Sequence, residues 1–457
     1  MEAKQLMKEL TSKSVDLIIR NAKIFFKQQI HEGGIAVEKG KIVQISKDSK
    51  LPPGETTLDA KGQLMIPGAI DIHAHLRDLN YSDKEDFYTG TCAAANGGFT
   101  TVIDMPNTSP PTISAQLLKQ KMAIAQKKVI INTGFYAGIP NSIEEIESFK
   151  NTGPFGLKLY LTNSLSQFDI DNPDLLKSLF YTTKQLDFPV LIHAERKKDI
   201  DELINQKEIN NLSSEDLYLE SHSGDVEKKA IQYICDVNAE IGAQIHICHV
   251  STASGVELLQ KIKEEQAISA EVTPHHLLLT VEDLQTFGTF AKMLPPLRTP
   301  NDLTALWEGL NGGVIDIIAT DHAPHILSEK TCEFSAASNG IPGFETMLPL
   351  LFTAMHEDRI SLSKLVQTIT ENPAKFLHLS QKGKIDVGYD ADLTIIDIHR
   401  EDKIQASQFL SKAKYSPFDG REVKGIPTMT IVNGKIVMQE GEIMVPKGSG
   451  TIIKRAS

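Results

Sequence analysis

From residue 64 to residue 320, apolar runs of strand length alternate with longer stretches of helical texture. The runs fall at 64–70, 100–105, 129–133, 156–161, 190–193, 244–250, 268–272 and 314–320. Consecutive parallel strands need a crossover of a dozen or more residues, usually a helix, so this alternation predicts parallel β/α units. Eight candidate strands favour an α/β fold closed into a (β/α)8 TIM-like barrel over an open doubly wound sheet. A chain of 457 residues, 41% of them hydrophobic, has room for one such barrel and a small appendage.

The two ends of the chain predict that appendage. Residues 15–19, 34–37 and 41–45 read as β segments, parted by turns at Lys39-Gly40 and Pro52-Pro53-Gly54. The tail has the same texture at 391–396 and 429–437, where Asn433-Gly434 is a hairpin signal. We expect a small β-sandwich with residues 1–66 as its N-terminal part and 385–457 as its C-terminal part, flanking a barrel over 67–384.

Composition narrows the function classes. A formal charge of -12 without a basic stripe lacks the electrostatic footprint of a nucleic-acid binder. No apolar run is long enough to cross a bilayer, and residues 1–20 carry charges throughout, without an apolar secretory core. A soluble, cytoplasmic protein is therefore expected. Cys92, Cys235, Cys248 and Cys332 are widely spaced and contain no Cys-x-x-Cys pair, which points to reduced thiols rather than a disulfide framework or a zinc knot.

In a barrel, the C-terminal strand ends open on one mouth. His73, Asn107, Lys158, His193, His249, His275 and Asp321 all lie in or just past an apolar run. His73 and His75 alternate along a strand, so they share a face and can hold one metal ion; Arg77 continues that face as an anion-binding group. Taken alone, His-x-His is equally a pair of hydrogen-bonded histidines near a strand end. With His193, His249 and Asp321 added there are more donors than one ion needs, which predicts a two-metal centre with a bridging ligand. Lys158 stands among apolar neighbours, where a bare ammonium is costly to bury. It either snorkels to the rim or has captured carbon dioxide as an anionic carbamate able to bind both ions. Asp321 either caps a helix N-terminus or touches a metal and takes a proton from its bound water. Glu195, His246, His275 and His276 are candidates to support these groups from behind.

Six segments together resemble the dihydroorotase family of the amidohydrolase superfamily: His73-Ala74-His75-Leu76-Arg77, Asp104-Met105-Pro106-Asn107-Thr108, Gly156-Leu157-Lys158-Leu159-Tyr160, His193-Ala194-Glu195, His246-Ile247-Cys248-His249-Val250 and Thr320-Asp321-His322-Ala323-Pro324-His325. Residues 343–350 and 411–418 extend the likeness, particularly to the long form found in the animal pyrimidine-synthesis polyprotein, and it spans about residues 16–450. The resemblance implies two zinc ions per subunit, one bound by His73, His75 and Asp321 and the other by His193 and His249, bridged by N6-carboxylated Lys158. It further implies that Asp321 is catalytic and that Arg77, Asn107 and His325 hold the substrate carboxylate. The reaction implied is the reversible cyclisation of N-carbamoyl-L-aspartate to L-dihydroorotate in pyrimidine (UMP) biosynthesis, carried out by a homodimer with aspartate transcarbamoylase as a possible partner. Allantoinases and dihydropyrimidinases or hydantoinases are the competing readings, since they share the barrel and the metal ligands but act on rings without that carboxylate. Residues 162–166 are expected to form a mobile cover with Ser164 and Leu165 near substrate, and residues 195–222 to lengthen a barrel loop.

Overall fold

The computed structural model describes residues 14–208 and 212–455, so the reading of residues 1–20 falls largely outside it. Among the described residues, no helix is long and apolar enough to cross a membrane. The first five strands are β1 (Val15–Phe26), β2 (Gln29–Glu38), β3 (Lys41–Ser46), β4 (Gly54–Asp59) and β5 (Leu64–Pro67). The last four are β15 (Leu393–Lys403), β16 (Glu422–Val432), β17 (Lys435–Gln439) and β18 (Glu442–Ile443). They join in a single mixed sheet of order β18-β17-β16-β15-β5-β1-β2-β3, with β4 branching from β1. The branch exists because β1 is irregular between Ile19 and Ala22: its first half pairs with β4 and its second half, at Lys23 and Ile24, with β5.

Two of the three expected turns carry the left-handed backbone of a type I′ hairpin, Lys39-Gly40 at φ 51° and 75° and Asn433-Gly434 at 49° and 75°. Ile42 of β3 and Ile431 of β16 lie far apart in strand order, yet they share one apolar cluster with Ile19, Ile35, Met65 and Ile395. The sheet therefore curls around a core of its own, beside the barrel.

Seven of the eight predicted runs supply staves of the barrel; the first run, 64–70, is mostly β5 of the other sheet, and the stave there is the next strand, β6 (Ala69–Ala74). The others are β7 (Phe99–Asp104), β8 (Asn132–Phe135) with its continuation β9 (Ala137–Gly138), β10 (Leu157–Tyr160), β11 (Val190–His193), β12 (Ile245–Ile247), β13 (Ile268–Val272) and β14 (Ile317–Ile318). Neighbours pair in parallel from β6 to β8 and from β9 to β14. Two joints complete the ring: Phe155 N–H donates to the Phe135 carbonyl at 2.9 Å, and His75 N–H to the His322 carbonyl at 2.8 Å. Ile70, Ile72, Ile103, Leu191 and Ile317 pack inside it, and helices such as Phe87–Asn96, Pro173–Gln185 and Gly224–Asn238 bury their apolar sides around it. Beyond β18 the chain returns to the barrel, where Ile452 bridges to Thr133.

A second expectation is corrected. Residues 195–222 do not merely lengthen a loop; they carry helices Lys197–Glu208 and Ser214–Ser221. Charges there fall at helical spacing, as in the 2.8 Å pair of Lys197 with Asp201, and Ser213 caps the second helix through Asp216 N–H.

Candidate active site

The barrel brings the predicted polar residues to one mouth. His73 ends β6 and is buried; His75 follows it. Each turns Nε2 toward Asp321 Oδ1, at 3.3 Å and 3.0 Å, so donor atoms of these three residues lie within 4.8 Å of one another. Across the mouth, His193 Nδ1 and His249 Nε2 are 3.0 Å apart. The two halves adjoin, with the His73 and His249 ring centroids 5.4 Å apart. His249 Nδ1 is buried without a hydrogen-bond partner.

Lys158 is 1% exposed and does not reach the rim. Its ammonium donates to Cys248 Sγ at 2.8 Å and lies 5.1 Å from the Tyr160 ring centre; among the described residues no carboxylate pairs with it. The Lys158 charge reaches both pairs of histidines, since it acts to lower the pKa of His73 and of His249.

The backbone is forced where these side chains are aimed. Arg77, Asp78 and Leu79 have φ of 55°, 47° and 52°, and His249 and Asp321 have 36° and 45°. Left-handed backbone at residues other than glycine costs of order 1–3 kcal/mol each and persists where the surroundings over-determine it, commonly at functional sites. The surroundings here are buried acids. Asp71, at the foot of the site, accepts from His73 N–H at 3.1 Å and from Thr320 N–H at 3.1 Å. Asp104 accepts from Leu76 N–H at 2.7 Å and pairs with buried Lys121 at 2.5 Å.

Electrostatics separates the groups. Burial alone would raise the Asp321 carboxyl, but His73 and His75 outweigh it and hold it well below the carboxylate range. Burial lowers His75 to about 4, and burial with His193 keeps His249 far below its usual value, so both are neutral donors. His73 differs: burial is outweighed by Glu271, which raises it to about 10.

Glu271, on β13, is not among the residues the sequence singles out, although an acid inside an apolar strand run is a signal. It accepts from His73 Nδ1, and its other oxygen lies 3.0 Å from His246 Nε2. This is how a carboxylate fixes the tautomer of a ligating histidine. Cys248 also joins His73 and Glu271 in a cluster of donor atoms within 4.8 Å. Of the other supporting candidates, Glu195 accepts from His193 at 2.9 Å and His222 at 3.0 Å, and His276 reaches the Pro295 carbonyl at 3.1 Å. His275 is buried with Nε2 unpartnered.

Beside the ligands sits a basic corner. Arg77, 8% exposed, donates Nε–H to the Pro324 carbonyl at 3.2 Å and has Nη2 3.2 Å from His325 Nε2. Among the described residues, no carboxylate forms an ion pair with it. Burial, then the Arg77 charge, lowers His325 to about 3, leaving a neutral ring whose single proton is contested by Glu329 at Nδ1 (2.8 Å) and the Asn339 carbonyl at Nε2 (3.0 Å). Asn107 Oδ1 accepts from His75 Nδ1 at 2.7 Å, tying this corner to the ligands. The expected cover at 162–166 docks on the β9 side of the mouth, where Ser166 Oγ donates to the Pro140 carbonyl at 3.2 Å.

The amidohydrolase family profile matches residues 64–437. A dihydroorotase of Methanosarcina mazei is 36% identical over 454 residues, covering 96% of this chain and 98% of that protein. An L-hydantoinase of Paenarthrobacter aurescens is 34% identical over 451 residues, covering 96% and 98%. The solved L-hydantoinase (dihydropyrimidinase) of Arthrobacter aurescens superposes with a TM-score of 0.93 at 33% identity, covering 96% of this chain and all of that one. With a barrel that gathers four imidazoles, a lysine and an aspartate at its mouth, and relatives that match nearly end to end, the chain belongs to the amidohydrolase family and is a cyclic amidohydrolase.

Proposed function

We propose that this protein is a dihydroorotase that interconverts N-carbamoyl-L-aspartate and L-dihydroorotate in pyrimidine synthesis. The observation that carries the reading is Arg77: a buried guanidinium, next to the ligand cluster, that pairs with no carboxylate among the described residues. A buried unpaired cation is costly, and a ring substrate bearing a carboxylate removes that cost.

The donor set fits zinc. Imidazoles and an ionised carboxylate are its usual ligands; His75 and His249 are already neutral, and His249 has a buried nitrogen left without a partner. His73, His75 and Asp321 would hold one ion, His193 and His249 the other, and a carbamate on Lys158 Nζ would bridge them. When bound, the pair of ions supplies Lewis acidity at the amide carbonyl and lowers the pKa of the attacking water. Carboxylation turns Lys158 from a buried cation into an anion, which offsets its burial. Glu271 accepts from His73 Nδ1 and would keep that proton in place, so an ion bound at Nε2 would displace the second His73 proton and leave the ring neutral. Asp321, ionised, takes the proton as the water oxygen bonds to the ring carbonyl carbon. It returns that proton to the ring nitrogen as the carbon–nitrogen bond breaks; ring closure runs the same path backwards. Arg77, Asn107 and His325 bind and orient the carboxylate.

The L-hydantoinase likeness favours a second reading, hydrolysis of a hydantoin-type ring. Such a ring has no carboxylate and would leave Arg77 unpaired. Turnover of dihydroorotate, hydantoin, dihydrouracil and allantoin by the zinc-loaded protein tests the choice. Dihydroorotate is expected to have the highest kcat/KM, and a preference for any neutral ring refutes the proposal.

A further inference from the structure

Lys330 has no exposed surface and no acid to pair with among the described residues. Its ammonium is instead caged by three main-chain carbonyls, those of Lys292 at 3.1 Å, Ser338 at 2.8 Å and Gly340 at 3.1 Å. Burial, with the neighbouring Lys292 charge second, pulls its pKa down to about 7, so the fold keeps this cation against a substantial cost. Lys292 serves the same end, since its own ammonium donates to the Phe334 and Ala337 carbonyls at 2.6 Å and 2.8 Å. Two lysines thus stitch residues 334–340 to the chain at 292, and Gly340 N–H closes the stitch on the Lys292 carbonyl at 3.0 Å.

The stitched segment is the backing of the basic corner. The Asn339 carbonyl lies 3.0 Å from His325 Nε2, and Ala323 N–H donates to the Ile341 carbonyl at 2.8 Å. Gly340 adopts φ +136°, and a Cβ there would fall 2.5 Å from the Ala323 carbonyl oxygen, so the segment is already pressed as close as a glycine allows. It cannot move inward; what stops it moving outward is the cage. Tyr415 adds one more tie, donating to the Gly340 carbonyl at 3.1 Å.

We propose that Lys330 is a positioning residue for the substrate carboxylate: by gathering the carbonyls of Lys292, Ser338 and Gly340 it holds residues 338–341 against 322–325, and so fixes His325 and, through it, Arg77. This rests on the reading of Arg77 and His325 as the carboxylate clamp. Lys330 itself touches no substrate. Without its ammonium, three buried carbonyls lose their donor, and the segment opens toward water to satisfy them.

The test compares zinc-loaded wild type, Lys330→Met and Tyr415→Phe in kcat and KM for dihydroorotate, zinc content, and calorimetric affinity for orotate, a ring with the same carboxylate. Lys330→Met is expected to raise KM and weaken orotate binding about tenfold, with kcat within about twofold and zinc unchanged, the pattern of lost ground-state binding. Tyr415→Phe, which keeps the shape but removes the tie to Gly340 and a hydrogen bond to the His325 backbone, is expected to shift KM the same way by about two- to threefold. A general structural defect would lower kcat and zinc occupancy with KM. The inference fails if Lys330→Met keeps wild-type KM and orotate affinity or loses kcat alone, and, should that variant not fold, if Tyr415→Phe keeps wild-type KM. A wild type that neither turns over dihydroorotate nor binds orotate removes the clamp reading and this inference with it. A wild type that does both beside an unaltered Lys330→Met removes the inference alone.

Discussion

Replacing Glu271 by Gln tests its control of the proposed metal ligands. One Glu271 oxygen accepts from His73 Nδ1 and, at 3.3 Å, from His249 N–H; the other lies 3.0 Å from His246 Nε2. An amide can keep its oxygen on the His73 side and place its NH2 toward His246. His246 can accept there by moving its proton to Nδ1, where Ser269 Oγ, 2.8 Å away, serves as acceptor as readily as donor. Neither histidine is stranded, but the charge that holds the second His73 proton is lost, so the metal-free protein should lose about 1.5–3 kcal/mol, the worth of a hydrogen bond to a charged group. The metal should feel a separate loss. His73 loses the anion that raises its basicity, and loss of such a supporting carboxylate typically costs 10–100-fold in metal affinity, about 1.4–2.7 kcal/mol. Competition for zinc against a calibrated chelator, with urea unfolding of the metal-free protein alongside, reads both quantities. The reasoning is refuted if Glu271→Gln holds zinc as tightly as wild type, or if the metal-free variant is as stable as metal-free wild type.

Three further outcomes are expected. Lys158→Ala should abolish turnover, with partial recovery on adding short carboxylic acids that stand in for a carbamate; full activity without them removes the bridge from the mechanism. Arg77→Met should raise KM for dihydroorotate by about 10–150-fold, the range for a hydrogen bond to a charged group, while metal analysis finds zinc retained; loss of metal would overturn the division between ligands and clamp. Glu345, which accepts from Leu410 N–H and Asn96 Nδ2 at 2.8 Å each and Ser411 N–H at 3.2 Å, is raised by burial from 4.5 to about 7. A folded pKa above the unfolded one gives stability that is complete below about pH 4.5 and lost as pH climbs through 7. Urea melts of Glu345→Gln should therefore gain on wild type by about 3 kcal/mol between pH 4.5 and pH 8, and a pH-independent difference would count against a carboxyl titrating in that range.

The sequence exposes the parts of this protein that depend on one strand at a time and hides the parts that depend on two. Apolar runs that hold or lead into His73, Lys158, His193 and Asp321 are local features, and so are the glycine turns at 39–40 and 433–434; each is legible because strand burial and left-handed backbone leave their mark on residue type. Helix 197–208 reads as a loop because its polar composition suits a loop as well as an exposed helix, and only the spacing of Lys197 and Asp201 separates the two. Glu271 is a different case. Nothing in Ile268-Ser269-Ala270-Glu271-Val272 says which histidine it meets; that follows from register, His246 opposite Ser269 and Ile247 opposite Ala270, which carries Glu271 up to His249 on the neighbouring stave. Lys330 lies deeper still, because its partners are carbonyls, and every residue has one. Lys158 stands among apolar residues that betray its burial, whereas Lys330 stands in Ser328-Glu329-Lys330-Thr331, whose polarity hides it. What separates the two is what meets the ammonium: for one a lone thiol beside four imidazoles, for the other three carbonyls already in place. The first environment leaves a charge to be altered by chemistry, and the second leaves none to spare.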